Sequence, residues 1–86
     1  MLPTEMEIKN AIESIKKDVE EIKNSNDKLA ASNKWNELTK NFKYLQVFNR
    51  DEKAIPEYEE AKKLIFSLEE NDPQFVEYFK SFMDEK

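Results

Sequence analysis

Six apolar residues near the start of the chain, Ile8, Ile12, Ile15, Val19, Ile22 and Leu29, are separated by 4, 3, 4, 3 and 7 positions. That spacing stacks them in one seam when the segment is helical, and a strand cannot use it, because strand faces alternate every second residue. Read as a heptad, it puts Ile12 and Val19 at a, Ile8, Ile15, Ile22 and Leu29 at d, and Asn26 at a further a. Lys9, Lys16 and Lys23 then fall at e, and Asp18 at g, where it would face a Lys23 on a neighbouring helix. Thr4, with Glu7 three residues later, reads as a capping box. The first helix is therefore expected over about residues 5–24. Leu29 keeps the register and argues for an extension to about 30, whereas Ser25, Asn26 and Asp27 invite a break.

The chain contains no glycine, and glycine is the usual residue at the left-handed position that closes a helix, with asparagine next. Asn24, Asn26, Asn33, Asn49 and Asn71 fall where the apolar periodicity breaks, so they read as helix ends or caps. A second helix is expected to begin after Ser32 or Asn33, to carry Trp35, Leu38, Phe42 and Leu45 on one stripe, and to end near Asn49. Pro56 forces Ile55 out of helical geometry and suits a first helical turn. A third helix should follow over about 56–70 with Tyr58, Ala61, Ile65 and Leu68 aligned and Leu64 beside them. In Asn71-Asp72-Pro73, asparagine ends one helix, aspartate caps the next and proline opens it. The fourth helix carries Phe75, Val76, Phe79, Phe82 and Met83. The expected fold is all-α: a small antiparallel bundle of three to four helices, of which the N-terminal one is long and carries the Ile seam, forming one domain over residues 1–86.

Several function classes fall away on composition. With neither Cys nor His, the chain has no thiolate, no imidazole and none of the usual zinc ligands, so no metal or cofactor is expected. Without glycine, no phosphate-binding loop, dinucleotide fingerprint or nucleophile elbow is possible, and catalysis is not expected. No apolar run approaches the roughly 18 residues of a membrane span, and Met1-Leu2-Pro3-Thr4-Glu5 lacks the basic-then-apolar order of a secretory signal. A cytoplasmic location is expected. Thirteen Lys to one Arg, with abundant Asn, Ile and Glu, suits an AT-rich bacterial or phage genome.

The net charge of −5 is unevenly placed. Residues 1–43 balance eight lysines against eight acids, whereas residues 44–86 set six basic groups against eleven acids. Such a chain is a poor binder of nucleic acid, which needs clustered Lys and Arg. Its acids, Asp51, Glu52, Glu57, Glu59, Glu60, Glu69, Glu70, Asp72, Glu77, Asp84 and Glu85, would instead solvate the surface, steer a basic partner or imitate a phosphate backbone.

At about 100° per residue, Tyr44 and Val47 lie well off the stripe of the second helix, Phe48 lies at its edge, Phe66 sits on the far side of the third, and Tyr78 flanks the face of the fourth. Lone exposed aromatics are ordinary, but several meeting in space would form a patch that anchors a protein. The expected function is a small, acidic, non-catalytic protein-binding module of the regulator, inhibitor or immunity-protein kind, using Tyr44, Val47, Phe48, Phe66 and Tyr78 as contacts and Glu57, Glu59 and Glu60 as a steering rim. The competing expectation is a homo-oligomer joined through Ile8, Ile12, Ile15, Val19 and Ile22, since a narrow a/d stripe is a coiled-coil pattern.

Overall fold

The computed structural model describes residues 3–51 and 55–83. They form four helices, α1 (Pro3–Asn24), α2 (Lys28–Asp51), α3 (Pro56–Phe66) and α4 (Pro73–Met83), with no strand among the described residues. At about 1.5 Å per residue, the 22 residues of α1 run nearly the whole 38 Å long axis of the molecule.

The boundaries follow local chemistry, and some differ from the expected ones. Pro3 already lies within α1, so Thr4 is a helical residue and not the cap. The carboxylate of Glu7 instead accepts a hydrogen bond from the Tyr44 hydroxyl. The break between α1 and α2 is only three residues long, Ser25 to Asp27. Asp27 caps α2: its Oδ1 accepts from the Leu29 N–H at 3.0 Å, and its carbonyl accepts from the Ala31 N–H at 3.0 Å. Ser25 braces the turn by accepting from the Asp27 N–H at 3.2 Å through its hydroxyl. The second helix thus begins earlier than expected, and Ser32 and Asn33 lie inside it. Leu29 leaves the seam altogether and stands 73% exposed.

Asn49 also lies within α2, and its Oδ1 accepts from the Ile55 N–H at 2.9 Å, tying the end of α2 to the start of α3. Ile55 is extended at φ −106° and ψ 142°, as a residue before proline should be, and Pro56 opens α3. That helix stops at Phe66, four residues short of the expected end. Without glycine the chain leaves it through a tightened turn. Bonds span three residues from Leu68 N–H to the Ile65 carbonyl and from Glu69 N–H to the Phe66 carbonyl, and the Leu68 carbonyl takes both the Asn71 and the Asp72 N–H.

Contacts between elements fix the topology. Lys16 meets Glu60 at 3.2 Å, and Leu64 shares a surface depression with Val19 and Lys23, so α3 runs parallel to α1. Trp35 stacks on Phe75 at 4.9 Å and meets Phe79 at 5.3 Å, and Phe79 meets Phe42 edge-on at 5.4 Å, so α4 runs parallel to α2. The order is up, down, up, down. Ile12, Ile15, Val19 and Ile22 of α1 join Trp35, Leu38, Phe42 and Leu45 of α2, Tyr58, Ala61 and Ile65 of α3, Leu68, and Val76 and Phe79 of α4 in one buried cluster. Ile8 packs against its edge. The side chains of Phe82 and Met83, expected on the α4 face, lie outside the described residues.

Candidate functional site

Among the described residues, no group of three or more acidic, His or Cys side chains comes together in a way that could hold a metal, and no helix is long and apolar enough to cross a membrane. The seam proposed as an oligomer interface is occupied from within: Ile12, Ile15, Val19 and Ile22 are each at most 5% exposed, and Ile8 is half-buried.

The aromatic residues read as partner contacts separate into two places. Tyr44 and Phe48, one turn apart on α2, meet edge-on at 4.9 Å beside the first turns of α1, and both are only partly exposed. Glu7 accepts the Tyr44 hydroxyl and holds its ionisation up at about 12. Tyr44 is thus a brace between α1 and α2 as much as a surface group. Val47, 46% exposed, lies on the same stretch of α2. Phe66, 39% exposed, sits at the opposite end of the molecule, because α3 runs parallel to α1 and finishes where α1 finishes. About 17 residues of helix, roughly 25 Å at 1.5 Å per residue, separate the level of Glu7 from that of Asn24. Phe66 lines a shallow depression with Ser67, Glu69, Glu70 and Pro73. Tyr78, 55% exposed, lies on α4.

Part of the expected acidic rim is engaged inside the chain. Glu60 meets Lys16, Glu59 meets Lys62 at 2.5 Å, and Glu69 faces Lys80 at 3.8 Å. Glu57 is half-buried. These exposed pairs are worth little individually, so a partner's cations can replace the internal ones.

A second constellation, absent from the sequence reading, lies between α1 and α2. Ser14, Asp18 and Glu21 recur every three or four residues along one flank of α1, and Lys34, Glu37 and Asn41 do the same on α2. Because the helices are antiparallel, the two rows meet in reverse order. Asn41 Nδ2 donates to Ser14 Oγ at 3.2 Å, Ser14 Oγ donates to Glu37 Oε1 at 3.3 Å, and Lys34 Nζ meets Glu21 Oε2 at 2.8 Å. The Lys34 bond holds the Glu21 carboxyl below its ordinary range and the Lys34 ammonium above its own.

Asp18 sits in the middle of this ladder, only 1% exposed, and not at an open heptad edge. Burial, then the charge of Glu37, push its carboxyl up to about 6, with Lys34 pulling the other way. Its Oδ2 meets no hydrogen-bond donor among the described residues, and the buried Trp35 Nε1 likewise meets no acceptor. The signal was present in the spacing, since residue 18 is three after Ile15 and four before Ile22 and so shares their face. The ladder lies at the interface between α1 and α2, with the Asp18 carboxyl closed off from solvent.

No protein-family model matches the chain, and neither a curated protein nor a solved structure matches it.

Proposed function

We propose that this chain is a non-catalytic protein-binding module, a small acidic regulator, inhibitor or immunity-type protein whose partner docks on the α3–α4 side. The reading assumes a cytoplasmic setting. The observation that carries it is how the apolar surface is divided. The fold spends the Ile seam on its own core, while Phe66 and Tyr78 stay 39% and 55% exposed on the acidic half. An aromatic ring half out of water beside Glu69 and Glu70 suits an apolar anchor on a partner flanked by lysine or arginine. Tyr44 and Phe48 belong to a separate place, and their partial burial weakens the case for them as contacts.

The test is a photo-crosslinker placed at position 66 and, separately, at exposed position 10 on α1, in cells of the source organism. The reading expects one partner captured from position 66 and not from position 10, and its loss with Phe66→Ala at an unchanged melting temperature. Equal capture from both positions would sink it. A chain that sediments as a stable oligomer dependent on Ile12 and Val19 would replace it with assembly through α1.

A further inference from the structure

The α1–α2 ladder sets three acids, Asp18, Glu21 and Glu37, against Lys34, with Lys17 acting in addition on Glu21. Asp18 faces Glu37 across the interface and Glu21 along its own helix, and the Lys34 ammonium that acts on all three is bonded to Glu21 at 2.8 Å. The antiparallel register, with Ser14 bonded to Glu37 at 3.3 Å on one side and Lys34 to Glu21 at 2.8 Å on the other, places Asp18 opposite Glu37, and two carboxyls set opposite each other can bond only when the pair holds a proton. Ser14 already donates to Glu37 Oε1, and Asp18 Oδ2 is buried with no donor among the described residues. An ionised Asp18 would therefore leave a charge out of water without adequate compensation.

We propose that the Asp18–Glu37 contact is a proton-operated latch: one proton taken from solvent and shared by the two carboxyls holds α1 on α2, and its release sets like charges across the interface and loosens α1. The direction follows from linkage. Asp18 titrates at about 6 in the fold against 3.8 ordinarily, so its contribution to stability is fully present below the ordinary value and is lost as pH rises through about 6. What α1 covers is the aromatic core around Trp35 and Phe42, so the latch controls exposure of the Ile12 to Ile22 face.

The first measurement is the carboxyl carbon-13 resonance of Asp18 followed from acid to neutral pH in the intact chain. The expected midpoint is near 6, moving down by about one pH unit in Glu37→Gln as the facing charge is removed. A midpoint in the ordinary aspartate range overturns the proposal. The second is thermal melting between about pH 3 and about pH 7.5 for the native chain and Asp18→Asn. Acid titration elsewhere shifts both proteins alike, so their difference isolates the latch. Asp18→Asn should melt higher than the native chain at the upper pH and converge with it at the lower, and parallel curves overturn the proposal. Should Asp18→Asn not fold, the Glu37→Gln midpoint decides alone.

Discussion

Tyr44 shows how one hydroxyl changes a residue's role. Its position off the α2 stripe suggests recognition, yet the phenol donates to Glu7 near the start of α1 and packs edge-on against Phe48. Removing the hydroxyl in Tyr44→Phe should cost about 1 kcal/mol, the usual net worth of such a bond, measured as a lower urea midpoint. Glu7→Gln should bring the Tyr44 titration down from about 12 toward its ordinary value of 10, read in tyrosinate absorbance. Because the folded value is the higher one, this contact supports the fold below about pH 10 and stops doing so as pH rises through about 12. Phe66 is the contrasting case. It was placed outside the α3 stripe by angle alone, and the structure leaves it 39% exposed.

At the scale of elements, apolar rows were readable and the positions of breaks were not. Ile8 to Ile22 and Trp35 to Leu45 lie as their spacing demands, since burial of a periodic face dominates helix placement. Leu29 kept the same period across the Ser25 to Asp27 break by coincidence of spacing, and period alone cannot see a turn. Ser32 and Asn33 resemble caps and draw the expected start of α2 too far along the chain, whereas Asp27, followed by the helix-favouring Ala30 and Ala31, supplies the cap that forms. Leu68 likewise continues the α3 stripe while its backbone has already tightened into the turn. Two substitutions separate these assignments. Asp27→Ala should destabilise by about 1 kcal/mol through the lost cap. Asn33→Ala, at an exposed interior position of α2, should stabilise by a few tenths of a kcal/mol, up to about 0.5; a loss there in urea melts would return the cap to Asn33. Asp18 is a different case: its spacing from Ile15 and Ile22 puts it on the buried face, but how deeply it is enclosed depends on how closely α2 lies over that flank of α1, which spacing alone does not give.

For the whole molecule, one buried cluster draws on all four helices, and α1 supplies its cover. The three-residue connection between α1 and α2 has a consequence in time as well as in space. Closing so short a loop costs little chain entropy, and helical proteins with mostly local contacts fold within microseconds to milliseconds. The α1–α2 hairpin is therefore expected to assemble early, with α4 docking afterwards onto Trp35 and Phe79's neighbours in the core. In stopped-flow experiments read by Trp35 fluorescence, Ile15→Val should mainly slow refolding, and Val76→Ala should mainly speed unfolding. The reverse assignment would place the nucleus among α3 and α4. If the hairpin does lead, the carboxyl pair inside it meets before the rest of the chain has closed, and acidity becomes a control on the speed of folding.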